Sequence, residues 1–593
     1  MMKSLFLCAL FIFCFTLSPL TLADDFDKMI IRDMPREKII EKYGRLPGQE
    51  LLAEDLADLA ESYFEGDTLK LLAIPVEWVD RPGTYSREDL EKLLFSRNEL
   101  PGGSVADYFD EVSYGQVAVT GDVIDWYTPY WYNGGSYSPN FSYNDFATIM
   151  YYLDEIIDYS QYDGNGDGDV DAVCFIRSGN GEEDSGDPND IWSYAISWPV
   201  GWGPFDGMLV KHWNTSPETE PLRDPDNPTQ FSGESDLCGI RVFCHELSHN
   251  FGAPDLYDYD DKLLTSSYYT PNDNNDHPVV DWCVMGYGGY GLLSIGSVLP
   301  SHLCGWSKMK MGWIEPIELV GEHKDLVINN IETSSENALF KLPITAHPGG
   351  QDAGEYFLLE YRNPNSAAKF DKLDSDFSCY FWPDLTFGAD PLDHGLLISH
   401  VDDSVVDLRR DTHVNDGTPE YKHYTVAVMD AGYDPARDYT TNPEGRVTDS
   451  AQWWYPYETR RAALFSDDVD GQSEFGPNTT PNSDGYSGPT GIYVRVDSIV
   501  GDQMYVYVYN PAVVDYICGD ADGDGIITQL DVSFLIAYLQ KDGPAPYPLE
   551  AGDANGDGTI DRDDVKYLID YLHKGGPEPI CPKPGEQNKS GTD

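Results

Sequence analysis

His245-Glu246-Leu247-Ser248-His249-Asn250-Phe251-Gly252-Ala253-Pro254-Asp255 is the stretch on which the reading of this chain turns. Two histidines four apart on a helix share one face about a turn apart, so both imidazoles can reach one metal ion. Glu246 follows the first histidine and lies beside that metal, where it can take a proton from a metal-bound water. Gly252 can adopt the positive φ that ends a helix and turns the chain back. That return brings Asp255 round as a third, oxygen ligand, and three protein ligands with one open position describe a catalytic zinc site. Upstream, Leu237, Ile240, Cys244, Leu247 and Phe251 step by three and four as a buried stripe, with Ser235 or Asp236 placed to cap the helix.

The 593 residues exceed what one core organises and predict several domains. A net charge of −64 argues against nucleic acid or an anionic membrane as a partner and suits a soluble exported protein rich in calcium-binding carboxylates. Residues 1–23 read as a signal peptide: Lys3 is the positive start, Leu5 to Leu17 is almost wholly apolar, and Thr21-Leu22-Ala23 offers a cleavage site. No later run is long and apolar enough to span a membrane. Beyond the signal the cysteines are Cys174, Cys238, Cys244, Cys283, Cys304, Cys379, Cys518 and Cys581, an even set that favours disulfides in an exported chain. Pairing among the first six stays open.

Residues 24–66 read as a pro-segment, with a plain N-terminal arm as the alternative, and carry a helical pattern over Leu51 to Tyr63. A first strand is expected over Leu69 to Val79, then helices over Ser86 to Phe95 and Gly103 to Gly115, a strand over Gln116 to Ile124 and a helix over Phe146 to Tyr159. Asp163, Asn165, Asp167, Asp169 and Asp171 alternate with glycines ahead of a strand, Ala172 to Arg177, as a structural calcium loop; position twelve is Cys174, which excludes an EF-hand. Pro300 to Trp313 reads as a closing helix. Residues 319–514 change to short alternating runs such as Tyr356 to Tyr361 and Gly395 to Val401, with a hairpin at Gly501-Asp502, and predict a β-sandwich-like domain in which His400 is a structural histidine.

The end of the chain carries an internal repeat. Asp520, Asp522, Asp524, Ile526 and Asp531 occupy positions one, three, five, seven and twelve of a calcium loop. Asp553, Asn555, Asp557, Thr559 and Asp564 do so again 33 residues later, with Asp561 at position nine, and each loop leads into an apolar helix. Cys518 and Cys581 bracket the pair, and a disulfide is expected to clasp the module.

The His245–Asp255 run, with SVADYFDEVSYG, DGNGDGDVDAV, VMGYG and GWSKMKMGW in that family's order around it, resembles the immune inhibitor A-type secreted bacterial metallopeptidases, which are metzincin-like. The resemblance spans about residues 69 to 511. It implies zinc on His245, His249 and Asp255, Glu246 as general base and acid, and Met285 as the methionine of the turn beneath the metal. Tyr287 looks like the tyrosine some metzincins use to steady the oxyanion; an aromatic packed on the site wall is the alternative. Residues 518 to 581 resemble a type I dockerin, which implies a cohesin-type partner tuned by Gln529, Leu530, Arg562 and Asp563.

The expected fold is therefore multidomain. An α+β metzincin-like catalytic domain (67–318) is followed by a β-sandwich-like domain (319–514), a small α-helical paired-calcium-loop dockerin (515–582) and a polar tail (583–593). The expected function is a secreted, zinc-dependent endopeptidase. A calcium-dependent surface or scaffold protein with an inactive peptidase domain is the alternative.

Overall fold

The computed structural model describes residues 29–31, 63–224, 227–257, 279, 282–286, 300–344, 354–363, 366–370, 394–403, 424–429, 465, 472–479, 481–486, 488–511, 517–522, 526–541, 543, 546 and 549–580. The expected signal peptide, most of the expected pro-segment, Tyr287, Cys379, Asp524 and Cys581 lie outside them. The chain divides into two compact units, Met1–Asn510 and Pro511–Asp593.

The first unit is built on a seven-stranded mixed sheet. Its strands are β1 (Ile30–Ile31), β2 (Thr68–Val76), β3 (Ala118–Val123), β4 (Ala172–Asn180), β5 (Tyr194–Phe205), β6 (Met208–Asp224) and β7 (Asn227–Leu237). The order is β1-β5-β6-β4-β2-β3, with β7 on the far part of β6. Pairing is parallel from β3 through β2 and β4 to β6, and antiparallel at β5, β7 and β1. Because side chains alternate across a strand, Leu71 and Ala73 of β2 enter one core while Leu72, Ile74 and Val76 enter another. Helices cover both faces. Arg87–Phe95, Val105–Val112 and Ile240–Ser248 fill the first side, and Tyr143–Leu153 fills the second. Three of these helices open on Ser-x-x-Asp capping boxes, Ser86 with Asp89, Ser104 with Asp107 and Ser142 with Asp145.

Three readings of local structure change. Ser235 and Asp236 do not cap the site helix: both lie in β7, where the Asp236 carboxylate accepts from Tyr85 Oη and the Leu237 amide. The helix starts at Ile240 behind Gly239. Tyr143–Leu153 begins and ends earlier than the periodicity implied. The closing helix shrinks to Gly305–Lys310, because Ser301 to Cys304 run non-helically and buried beneath the sheet that follows. The long β5–β6–β7 ladder escaped notice, since its sequence mixes apolar residues with Pro, Gly and Glu.

Beyond residue 316, β8 (Ile317–Glu318), β10 (Leu339–Pro343), β11 (Glu355–Arg362), β12 (Gly395–Asp402) and β13 (Val426–Val428) make a five-stranded sheet. A second sheet contains β9 (Gly321–Asn329), β14 (Glu474–Phe475), β17 (Tyr493–Val500) and β18 (Gln503–Asn510), beside a ribbon of β15 (Asp484–Gly485) and β16 (Gly488–Pro489). Phe340, Phe357, Leu359 and Ile398 from the first sheet share one core with Val494, Met504 and Val506 from the second, so the two sheets pack face to face. The hairpin at Gly501 is present, with φ of 61°. His400 is a buried structural histidine, bonded to Glu355 at 2.8 Å and stacked on Tyr486.

The opposite face of the five-stranded sheet is buried too. Leu339, Tyr356, Leu358, Leu397, Val401, Val426 and Val428 join the core that holds the site helix. That explains why β11 and β12 are buried at every step instead of alternating with exposed residues. Polar groups cross the same junction. Buried Lys308 donates to Tyr114 Oη at 3.0 Å and Ile331 O at 3.2 Å, and meets His302 Nδ1 at 3.0 Å, while His302 Nε2 bonds Glu111 at 3.0 Å. Burial, then the Arg362 charge, brings the Lys308 ammonium down to about 7.

Cys174, Cys238, Cys244, Cys283 and Cys304 are free thiols, all buried, so the expectation of disulfides among them is corrected. They act as small apolar residues inside packed elements, away from oxidants. Cys518 is disulfide-bonded, to a residue outside the described ones.

Glu220 on β6 offers a test of the buried polar groups. Burial first, then the Asp184 carboxylate, pushes its carboxyl up to about 7. A folded pKa above the unfolded value means stability that is full below about 4.5 and declines as pH rises through about 7. Glu220→Gln should therefore raise the melting temperature at pH 8, by on the order of 1–3 kcal/mol of stability, and leave it nearly unchanged at pH 4. Calorimetry at the two pH values checks this; equal shifts at both would refute the assignment.

The second unit holds two helices, Gln529–Lys541 and Arg562–Lys574, around Ala521, Val532, Leu535, Ala554 and Leu568. Its repeat extends to single atoms. Asp531 accepts from Asp522 N and Thr528 N, and Asp564 accepts from Asn555 N and Asp561 N, the same pairs 33 residues on.

Candidate metal centre

The site helix runs Ile240–Ser248, and a 3-10 turn over His249–Phe251 ends at Gly252 with φ of 85°. Phe243, Cys244, Leu247 and Phe251 bury one side of this segment in the core, which turns His245 and His249 toward the returning chain. Their rings lie 5.2 Å apart and nearly perpendicular. Asp255, fully buried, comes back so that its Oδ1 is 3.2 Å from His245 Nε2 and 3.6 Å from His249 Nε2. Among the described residues this is one of two places where three ligand atoms of His, Cys, Asp or Glu gather within 4.8 Å of one another.

The other ring nitrogens explain the orientation. His245 Nδ1 is 2.6 Å from Val284 O, and His249 Nδ1 is 2.6 Å from Ala253 O. A carbonyl only accepts, so both Nδ1 atoms carry the proton and both Nε2 atoms present lone pairs. Two imidazole lone pairs and a carboxylate oxygen then converge at 3.2 to 3.6 Å in a buried place. Such a donor set, two nitrogens and one oxygen, fits zinc. Glu246, 2 % exposed, directly follows His245 on the site helix. Burial chiefly, and the Glu246 carboxylate next, push the Cys174 thiol on β4 above its ordinary range, which locates the Glu246 charge near the sheet.

Met285 is fully buried, and its carbonyl accepts from the amide of Leu256, next to Asp255, at 2.8 Å. The segment 282–286 thus holds His245 through Val284 O and the returning loop through Met285 O. The sequence reading named Met285 but missed the backbone of Val284 and Ala253; neighbours of a ligand that act through carbonyls leave no trace in residue type.

The other candidates are placed as follows. In 163–171, Asp163 accepts from the amides of Gly166, Asp167 and Gly168, the same turn that Asp553 makes with Gly556, Asp557 and Gly558. Asn165 Oδ1 accepts from Asp167 N, as Asn555 Oδ1 does from Asp557 N. Asp171 instead binds the Gly164 and Lys70 amides, and Asp169 pairs with Lys211 at 2.8 Å. Burial chiefly raises the Asp171 carboxyl to about 6. In the second unit, Asp520, Asp522 and Asp531 form the other three-ligand group. Ile526 exposes its side chain, and Thr559 bonds Asp557 through both its amide and hydroxyl. Asp561 caps its helix, and Asp564 is buried with its carboxyl raised by that burial.

Residues 518–573 match the Dockerin type I domain. Elsewhere the chain is similar to Immune inhibitor A of Bacillus thuringiensis subsp. alesti, 27 % identical over 277 residues, which is 38 % of this chain and 37 % of that protein. It is also similar to Pre-pro-metalloprotease PrtV of Vibrio cholerae serotype O1 (strain M66-2), 23 % identical over 326 residues, 45 % of this chain and 32 % of that one. The chain spans about a third of the length of these relatives. The chain thus carries a type I dockerin at its C-terminal side and a distant likeness to metalloproteases ahead of it.

Proposed function

We propose that this protein is a secreted zinc endopeptidase held to a cohesin-type partner by its dockerin. The observation that carries the reading is the convergence of His245 Nε2, His249 Nε2 and Asp255 Oδ1, with both Nδ1 protons fixed on carbonyls. Zinc, when bound, supplies Lewis acidity to water and to the scissile carbonyl. Glu246 accepts a proton from the attacking water on a carboxylate oxygen and returns it to the leaving amine nitrogen. His245, His249 and Asp255 hold the metal, and buried Met285 supports the floor, which is the basis for the metzincin-like reading. Tyr287 is proposed to steady the oxyanion.

Calcium is proposed for the dockerin loops, Asp520, Asp522, Asp524, Ile526 and Asp531 in the first and Asp553, Asn555, Asp557, Thr559, Asp561 and Asp564 in the second, where hard oxygen donors recur in register. A third calcium is proposed at Asp163, Asn165, Asp167, Asp169 and Asp171, supported by the turn shared with 553–558. A Cys518–Cys581 disulfide is proposed to close the module. Residues 24–66 are proposed as a pro-segment, supported by Ile30–Ile31 lying antiparallel on β5 at Ser197 and Ile196.

The test is digestion of a proteome-derived peptide library by the purified chain with and without a zinc-selective chelator. Internal cleavages that vanish with the chelator and return with zinc are the expected result. Calcium-loaded protein that holds no zinc and cuts nothing would favour the inactive scaffold.

A further inference from the structure

Arg362, at the end of β11, is fully buried although it belongs to the five-stranded sheet. Its Nε bonds Glu360 Oε1 at 2.8 Å, and Glu360 Oε2 accepts from the amide of Gly305. The guanidinium then reaches out of its own sheet: Nη2 donates to Trp282 O at 3.1 Å and to Leu303 O at 3.4 Å. Trp282 begins the segment that carries Val284 and Met285, and Leu303 precedes the helix Gly305–Lys310. One charged fork therefore ties together the two ends of the stretch between residues 282 and 303. Further bonds within the stretch run from Cys304 N to Cys283 Sγ at 3.3 Å and from Gly286 N to Cys283 O at 2.9 Å.

We infer that Arg362, oriented by Glu360, is a positioning residue for the metal centre: by holding Trp282 O it sets where Val284 O stands, and so the aim of His245 Nε2. The inference rests on the zinc site proposed above. One residue, Cys283, separates the carbonyl that Arg362 grips from the one that His245 Nδ1 grips at 2.6 Å. A shift of that turn would tilt the imidazole directly. Charge-assisted bonds to carbonyls are stronger than neutral ones, and the planar fork of arginine serves two acceptors and a carboxylate together, which a lysine ammonium cannot match. Burying an ion pair this completely is a weak route to stability, so its placement against the ligand-bearing turn is what needs explaining. Partners that orient a metal-binding histidine are worth 10–100-fold in metal affinity or activity.

The experiment compares wild type, Arg362→Lys, Arg362→Met and Tyr114→Phe in the full chain. Tyr114 bonds Ile331 O at 2.7 Å and Lys308 Nζ at 3.0 Å across the same junction, with its hydroxyl bonded to neither Trp282 O nor Val284 O, and so controls for loosened packing. Zinc affinity is measured by competition with a chromogenic chelator, and the visible spectrum of the cobalt-substituted site reports ligand geometry. Arg362→Met should lose about 10–100-fold in zinc affinity and alter the cobalt spectrum, with Arg362→Lys between it and wild type. Tyr114→Phe should stay at wild type in both. At saturating zinc, kcat should fall in the Arg362 variants while KM holds. Should Arg362→Met fail to fold, Arg362→Lys decides. Wild-type affinity and spectrum in Arg362→Lys overturn the inference, as does an equal loss in Tyr114→Phe. Wild-type protein that takes up no zinc, or takes it up equally well as His245→Ala, overturns the site itself.

Discussion

Glu246→Gln should bind zinc as tightly as wild type and lose at least about 10³-fold in kcat/KM, on the order of 4 kcal/mol of transition-state stabilisation. The expectation follows from where the side chain sits. His245 and His249 donate from Nδ1 to Val284 O and Ala253 O, and Asp255 arrives from the Gly252 return, so backbone carbonyls and the return loop aim the three donors. Gln has the same shape, and Glu246 is 2 % exposed, so the packing around the site helix tolerates the exchange. What disappears is basicity at one oxygen. Asp255→Ala is the contrasting variant: it removes a ligand and should lose the metal together with activity. Metal content by mass spectrometry and turnover of a quenched-fluorescence peptide separate the two. Wild-type turnover in Glu246→Gln would remove Glu246 from the chemistry. Loss of zinc in that variant would make it a ligand instead.

The grouping of the candidate metal ligands was legible because its requirements are local. Helical spacing, a glycine that tolerates φ of 85° and an aspartate three residues on are properties of eleven consecutive residues, and the folded chain brings those donors together. The repeat of the dockerin was legible for the same reason: amide-to-carboxylate pairs recur at the same offset because the loop closes on itself. What escaped depends on distant segments. Asp236 looks like a helix cap until Tyr85, 151 residues away, bonds it in a strand. Trp282 O and Val284 O are backbone atoms with no signature in residue type, and Arg362 reaches the first of them from 80 residues further on. The cysteines misled because an even number carries no information about where the core places each thiol.

A chain cut after Glu318 should fail to form a cooperative catalytic unit and should show no metal-dependent cleavage. The expected boundary at 318 separates segments that share one core. Leu339, Tyr356, Leu358, Leu397, Val401, Val426 and Val428 are each at most 1 % exposed and pack among the residues of the site helix. Full burial of such side chains stabilises by about 1.5–3 kcal/mol each, so the seven together contribute on the order of 10 kcal/mol. That is comparable to the whole stability of an ordinary domain, even after allowing for a compact unfolded state. The cut also strands polar groups. Tyr114 Oη and Lys308 Nζ lose Ile331 O, and Trp282 O and Leu303 O lose the Arg362 guanidinium. Buried polar groups left unmatched add about 1–3 kcal/mol each to the deficit. Extending the chain to Asn510 restores both sheets and should recover a cooperative melt and full activity without the dockerin, since the compact units divide at that point. Near-UV circular dichroism, thermal melts and peptide turnover on the two truncations check the prediction. A fragment ending at 318 that melts cooperatively and cleaves like the full chain would show that the five-stranded sheet merely covers the catalytic core and that the boundary read from sequence stands.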